Sequence, residues 1–421
     1  MIGERTTTHA TAMRFLPRLF RKAIGQGTLT FSAPRFGPET YGGVGPGPDV
    51  AIRFTDASWD WKILLNPELR FAEAYMDGIL VIEEGSVADL VNLFYVNKRR
   101  FDMSANQIAV NGVLRKLKRF QQHNPIARAR ANAEAHYNIG NDLYRLMLDS
   151  DMQYSCAYFP TGEETLEEAQ LLKKRLIASK LRLEPGQRVL DIGCGWGGLA
   201  LYLAKVADVE VVGVSLASEQ LDLARARAKA EGLEHRVSFE LQDYREIIGT
   251  FDRVVSVGML EHVGAHHLQD YFLNVRDRLN PDGVALIHSI VTKAPPGITS
   301  AFIRKYIFPG GYSPAISEVF GAVERSGLWP LDAEVLRLHY ALTLEHWSQR
   351  FAEHRDEARD LYDERFCRMW ELYLAAAGGV FRYGSNAVLH LQLGRERDAV
   401  PVTRDYLGEA GAALAERESG I

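Results

Sequence analysis

Asp191 and the glycines at 193, 195, 197 and 198 carry the clearest chemical pattern in this chain. They follow the apolar run Val189-Leu190, so an acid and four glycines close a buried strand. Glycine lets main-chain N–H groups approach a ligand with no Cβ in the way. The N-terminus of the helix expected over 197–205 favours an anionic or polar group. A nucleotide-like cofactor is the first inference. Gly193, Gly195 and Gly198 also satisfy the G-x-G-x-x-G dinucleotide fingerprint. That fingerprint wants an acid at the end of the next strand to hold a ribose, and here the next strand, 209–214, runs into Ser215. Gln220 stands five residues further on. Asp243-Tyr244, the turn 258–264 with Glu261 and His262, and His288 inside an apolar run are the other candidates. His288 by itself also reads as a satisfied core histidine. Gly264 interrupts the helix that Glu261, His262, His266 and His267 would need for i,i+4 metal ligation, so no metal is expected.

These residues need a frame that brings them to one edge. Apolar runs at 188–192, 209–214, 237–240, 251–257 and 284–290 alternate with helical patterns at 197–205, 218–231 and 267–279. That alternation predicts a doubly wound α/β sheet of parallel strands. Ligands then lie beyond the C-terminal strand ends, where every candidate above falls. Helices are also expected over 127–135, 141–148 and 165–180, the last opened by Thr165 and Glu168 as a capping box. Residues 25–62 change character. Short alternating runs between Gly/Pro clusters predict a small antiparallel sheet, with helices over 66–77 and 86–97 and a strand over 78–82. The expected organisation is a smaller mixed α+β domain over 1–122, ending in a basic linker helix, a catalytic domain over 123–402, and a tail from 403 with no readable function.

The 421 residues are 47% hydrophobic and 24% charged, the composition of a soluble globular protein of two domains. No run of 18 apolar residues spans a bilayer, and the start of the chain has no apolar h-region, so secretion is not expected. Three cysteines, Cys156, Cys194 and Cys367, lie far apart, which suits a reducing cytoplasm. The net charge of −5 is uneven: residues 1–130 carry 18 Lys and Arg against 12 Asp and Glu. A basic front half fits an acidic surface, or is merely a solvated face. Nucleic acid is not expected as the partner, because the basic stretch 115–119 lacks interleaved aromatics. The amphipathic segment 15–22 could lie at a bilayer interface or pack on its own domain.

Asp-x-Gly-x-Gly after an apolar strand resembles motif I of the class I methyltransferases, which bind S-adenosylmethionine. The chain as a whole resembles the cyclopropane-fatty-acyl-phospholipid synthase family and the related mycolic acid methyltransferases. The residues that carry this are 136–142 (HYNIGND), 154–159 (YSCAYF), 191–198, 258–264, 306–311 (YIFPGG), 339–344 (HYALTL) and 368–374. They span roughly 125–390 in order. The resemblance implies a class I, Rossmann-like fold and S-adenosylmethionine as the methyl donor. Tyr137, Tyr154, Ser155, Asp191, Gly193, Gly195, Ser215, Gln220, Asp243 and Tyr244 would line the donor, with the Asp243 carboxylate or adjacent main chain at the adenine. It also implies a bound bicarbonate ion held by Cys156 through its main chain, Gly258, Glu261, His288, Ile290 through its main chain, and Tyr340.

The chemistry so implied is methylene transfer to a cis double bond of a phospholipid acyl chain. The methyl must lie in line with a poor nucleophile. The resulting carbocation needs a dry wall, for which Tyr158, Phe159, Trp196, Tyr306 and Phe308 are candidates. Bicarbonate then removes a proton and the ring closes. Two departures from the family pattern bear on the acyl cavity: Leu260 stands where an aromatic precedes the Glu-His pair, and Ser289 where many members have Thr. The implied setting is bacterial and cytoplasmic, at the inner membrane face, with a phospholipid bilayer as partner and a homodimer through the N-terminal domain. Alternatives are a fatty acyl C-methyltransferase, a nicotinamide-dependent dehydrogenase and a non-catalytic lipid-binding module.

Overall fold

The computed structural model describes residues 15–43, 45–101 and 140–419. The chain forms two compact units. The second unit holds the candidate residues. Its sheet contains β5 (Arg188–Ile192), β6 (Glu210–Ser215), β7 (Val237–Leu241), β8 (Phe251–Val257), β9 (Leu279–Thr292), β10 (Trp329–Leu336) and β11 (Asn386–Gly394), in the order β10-β11-β9-β8-β5-β6-β7. β9, β8, β5, β6 and β7 are mutually parallel, as the alternating sequence predicts. The strand order reverses at β5, which makes the crevice beyond β5 and β8 the natural ligand position.

The pair β10–β11 was not expected, and β11 runs antiparallel to both neighbours. Its sequence, Asn-Ala-Val-Leu-His-Leu-Gln-Leu-Gly, is buried along most of its length, so it lacks the polar-out alternation of a half-exposed strand. His390 and Gln392 break its apolar run while being buried themselves.

The helix Leu166–Leu181 lies over this sheet. Thr165 and Glu168 close the expected capping box, with Glu168 N donating to Thr165 Oγ1 at 3.3 Å and Thr165 N to Glu168 Oε2 at 2.8 Å. Its inward face is unusual, because Gln170, Lys173 and Lys180 are buried beside Ile177. The expected tail instead contains the helix Asp405–Glu418. It packs along Leu166–Leu181, and its Glu418 accepts from Arg175 Nε at 3.0 Å and from the Tyr202 hydroxyl at 2.5 Å.

The first unit has a four-stranded sheet, β1 (Gln26–Ala33), β2 (Phe36–Gly42), β3 (Gly45–Phe54) and β4 (Leu80–Glu84), in the order β2-β1-β3-β4. It is mixed rather than antiparallel, since β1 and β3 run parallel. The glycine- and proline-rich stretch 42–48 lets the chain leave β2 and re-enter on the far side of β1. Phe20, Phe31, Phe54, Phe71, Phe94 and Phe101 form a continuous aromatic ladder with ring centroids 5.2–6.0 Å apart. Ser300–Ile307 and Trp347–Gly384 belong to this unit as well, so a single cut near Gln122, itself outside the described residues, does not divide the chain. Within the unit Glu73 accepts from Lys305 Nζ at 2.7 Å and from the Tyr306 hydroxyl at 3.0 Å. Tyr75 donates to Glu371 at 3.1 Å, and Gly379 leaves room for the Tyr95 ring.

Candidate active site

β5 delivers Asp191 to the crevice. The carboxyl is buried, desolvation raises its pKa to about 7, and Oδ2 has no hydrogen-bond partner among the described residues. A buried polar atom without a partner is costly, so it marks a place where a ligand hydroxyl or amine fits. The glycine turn is pinned to β6, since Gly193 N and Cys194 N both donate to Val214 O, at 2.9 and 3.2 Å. The four glycines do different things. Gly197 has φ +80°, and a Cβ there would lie 2.5 Å from the Phe239 ring, so it serves helix–strand packing. A Cβ on Gly195 would meet only Gln220 Oε1, at 4.0 Å, which leaves that amide on the open side of the turn.

The segment 153–156 is held from behind by the Leu166–Leu181 helix. Gln170 Nε2 donates to Gln153 O at 3.1 Å and to Ser155 O at 3.0 Å. Lys173 Nζ donates to Gln153 Oε1 at 2.6 Å and to Ser155 Oγ at 2.8 Å. Lys173 is fully buried; desolvation lowers its pKa to about 8, and its charge offsets part of the desolvation that raises Asp191. Tyr154 meets Tyr144 edge-on at 5.0 Å, Tyr144 lies 5.0 Å from Trp196, and the Trp196 indole donates to Asn141 Oδ1 at 2.8 Å. Cys156 is buried, with its thiol pKa raised by desolvation, which suits no nucleophilic role. Ala157 N donates to Thr343 Oγ1 at 3.0 Å, tying this segment to the helix that carries Tyr340 at its start.

Four cofactor expectations meet the structure differently. Tyr137 lies outside the described residues. Ser215 is half-buried at the end of β6 and accepts from Ala217 N at 3.2 Å. Both Asp243 oxygens hold Arg245, at 2.7 and 2.6 Å, which fixes the carboxylate and leaves its remaining lone pairs and the adjacent main chain as acceptors. The Tyr244 ring packs in the core, 5.4 Å from Tyr271.

The chemistry-bearing side follows β8. A Cβ on Gly258 would meet nothing within 4 Å, so the chain borders open space there. Glu261 occupies the short helical turn Leu260–His262 and is buried. Its Oε1 accepts from Ile290 N at 2.6 Å, whereas Oε2 has no partner among the described residues. Burial raises the carboxyl to about 7. The Ile290 N–H is thereby committed to Glu261. His288 lies on β9 directly across from His390 on β11, with Nδ1 2.7 Å from His390 Nε2. Desolvation keeps both imidazoles neutral by pushing their pKa values well down. A Cβ on Gly193 would lie 3.3 Å from Met259 Cβ, so the glycine turn and the Glu261 turn adjoin.

Among the expected wall residues, Phe159 stacks on His346 at 5.5 Å and Tyr158 on His339 at 5.0 Å. Tyr306 belongs to the first unit, bonded to Glu73. Gln170, Lys173, Thr343 and His390 were missed. The only trace of the first two was polar residues at i,i+3 on a helix face that apolar residues usually fill.

A model described as mycolic acid cyclopropane synthetase matches residues 125–391, and one described as a domain of unknown function matches 37–106. The cyclopropane-fatty-acyl-phospholipid synthase of Escherichia coli strain K12 is 46% identical over 247 residues, 59% of this chain and 63% of that protein. A probable fatty acid methyltransferase of Pseudomonas putida is 43% identical over 265 residues, 61% of this chain and 67% of the relative. The matched region thus spans about two thirds of these curated relatives. A cyclopropane synthase structure from Mycobacterium tuberculosis superposes with a TM-score of 0.60 at 33% identity, covering 63% of this chain and 97% of that one. A mycolic acid cyclopropane synthase solved with SAH and CTAB gives 0.60 at 31% identity, covering 64% and 99%. The sheet order and these likenesses make the second unit a class I methyltransferase fold, and the chain belongs to the mycolic acid cyclopropane synthetase family.

Proposed function

We propose that this protein transfers a methylene unit from S-adenosylmethionine to a cis double bond of a phospholipid acyl chain, forming a cyclopropane. The observation that carries the reading is Glu261: a buried carboxyl with one uncommitted oxygen, on a turn that adjoins the glycine turn. When bound, S-adenosylmethionine supplies an electrophilic methyl group on a sulfonium. Gly193, Gly195, Gln220 and Asp191 would hold it at the crevice, with Tyr154 and Ser155 over one side. The free Asp191 oxygen fits a polar group of that donor.

Bicarbonate fits the second half of the site on the same grounds. Glu261 Oε2 is uncommitted, and a carboxyl raised to about 7 is in part protonated near neutrality and able to donate to an anion. His288 and Tyr340 would share that role, with the main chain at Cys156 and Gly258. The Ile290 amide acts through Glu261, which it orients. Alkylation of the alkene leaves a cation on the acyl chain. Buried rings such as Phe159 and Trp196 exclude water that would trap it. Loss of a proton from the added methyl then closes the ring.

The lipids of an expressing host fed methyl-labelled methionine test the reading. Mass spectrometry of the acyl chains should show a gain of one labelled methylene with neither alkene nor methyl branch. A branched or methyl-unsaturated product would support the second reading, a fatty acyl C-methyltransferase, which the Pseudomonas relative's name favours.

The same reading includes work at a bilayer surface. The segment 15–22 is a poor anchor, because Leu16 and Phe20 are buried in the aromatic core of the first unit. The helix Trp59–Leu65 is a better one, exposing Trp61, Leu64 and Leu65 on one face beside Lys62. No helix among the described residues is long and apolar enough to cross a membrane.

A further inference from the structure

We propose that His390, Lys180 and Glu334 form a relay that carries the proton released at His288 out of the active site; the proposal rests on the cyclopropane reading above. His288 Nδ1 is 2.7 Å from His390 Nε2, and His390 Nδ1 is 3.1 Å from Lys180 Nζ. Lys180 Nζ is 2.5 Å from Glu334 Oε2. His288, His390 and Lys180 are buried, whereas the Glu334 side chain is 26% exposed. Four titratable groups therefore run in unbroken hydrogen-bond contact from a candidate catalytic imidazole to solvent.

The members come from separate elements: β9, β11, the Leu166–Leu181 helix and β10. On both strands the flanking residues are apolar, with Ile287 beside His288 and Leu389 and Leu391 beside His390. Apolar residues would satisfy that core with less desolvation. Family resemblance assigned His288 a ligand role and left the other three with none.

The proton count requires such an exit. When the ring closes, a C–H bond of the added methyl breaks and its electron pair forms the second ring bond to the acyl chain. One proton is left in a buried site for each turnover. His288 receives it at Nε2 by way of the bicarbonate it would hold, and gives the Nδ1 proton to His390 Nε2. His390 gives its Nδ1 proton to the neutral Lys180 amine. The resulting ammonium passes a proton to Glu334, which exchanges with water. One C–H bond is broken at the start, one O–H bond is formed on Glu334 at the end, and each transfer between nitrogens breaks one N–H bond and forms one, so no further reactant is needed. Desolvation lowers the pKa of Lys180, against the pull of Glu334 beside it. The charges around the chain are Lys173 and His339 near His390, and Asp332 and Arg404 near Lys180 and Glu334.

The test uses the full-length enzyme with S-adenosylmethionine and vesicles of cis-unsaturated phosphatidylglycerol and phosphatidylethanolamine. Lys180→Met and His390→Gln are compared with the wild type for kcat against pH, for the solvent deuterium isotope effect on kcat, and for calorimetric binding of S-adenosylmethionine. Glu334→Gln, on the partly exposed β10, is measured in parallel in case the buried variants do not fold. The expected result is unchanged donor binding, kcat lowered about tenfold, a displaced pH profile and a solvent isotope effect raised above the wild-type value. Folded variants with wild-type kcat, pH profile and isotope effect overturn the relay. A lowered kcat with an unmoved profile and isotope effect also overturns it, as that is what a purely structural role gives. A wild type that yields no ring product sinks the underlying reading, and is seen before any variant is made.

Discussion

Glu261 combines two properties that compete for stability. Its Oε1 is held by Ile290 N, while burial without a second partner raises its pKa from 4.5 to about 7. The protonated form is the one this buried position prefers. That preference is intact below about pH 4.5 and is lost as pH rises through about 7, a span on the order of 3 kcal/mol. We predict that Glu261→Gln abolishes turnover, keeps S-adenosylmethionine binding, and melts higher than wild type at pH 8 but not at pH 5. Calorimetric scans at the two pH values check the sign. At the cofactor end, Lys173 orders Gln153 and Ser155 and lies close enough to Asp191 to offset part of the desolvation that raises its carboxyl. Charge-assisted bonds of this kind are worth about 1.5–3 kcal/mol each. Lys173→Met should therefore weaken S-adenosylmethionine binding by about tenfold or more while leaving the protein folded, as titration calorimetry and circular dichroism would show.

At the scale of elements, the Leu166–Leu181 helix positions more of the site than any loop does. Its inward polar residues hold the 153–155 segment and reach His390, and its outer face carries the Asp405–Glu418 helix. Thr165→Ala removes one half of the capping box and should cost about 1 kcal/mol, read from urea denaturation. Truncation before Asp405 removes Leu414 from the core cluster it completes and leaves Arg175 and Tyr202 without Glu418. A loss of thermal stability is expected, and unchanged melting would show the helix to be dispensable. This element was read as a featureless tail because its alternation of Ala, Gly and Glu carries little apolar signal. Its Glu418 and Arg417 find their partners, Arg175, Tyr202 and Val206, more than two hundred residues away.

For the whole molecule, the prediction concerns the bilayer. Trp61 and Leu65 are 47% and 74% exposed, and burying such side chains in an apolar phase yields about 1.5–3 kcal/mol each. Trp61→Ser with Leu65→Ser should reduce sedimentation with anionic vesicles by about tenfold or more, with S-adenosylmethionine binding unchanged. Equal sedimentation would move the docking surface elsewhere.

The sequence by itself determined the parallel half of the sheet, the strand ends, the glycine turn and the family. Each of these is written in local order: period, punctuation by glycine, and an acid at a strand end. Glu261 stood out for the same reason, whereas His288 read alone is a core histidine and entered the candidate site only through the resemblance. Only the tertiary structure decided that β11 runs between β9 and β10, that Asp243 is occupied by Arg245, and that segments 300–307 and 347–384 belong with the N-terminal unit. It alone also brought His390, Lys180 and Glu334 to His288. These facts depend on contacts between residues distant in the chain, some of them polar groups buried where the local pattern calls for apolar ones. A buried polar group looks like an error in a local pattern until its partner is seen, and its partner is a matter of the fold.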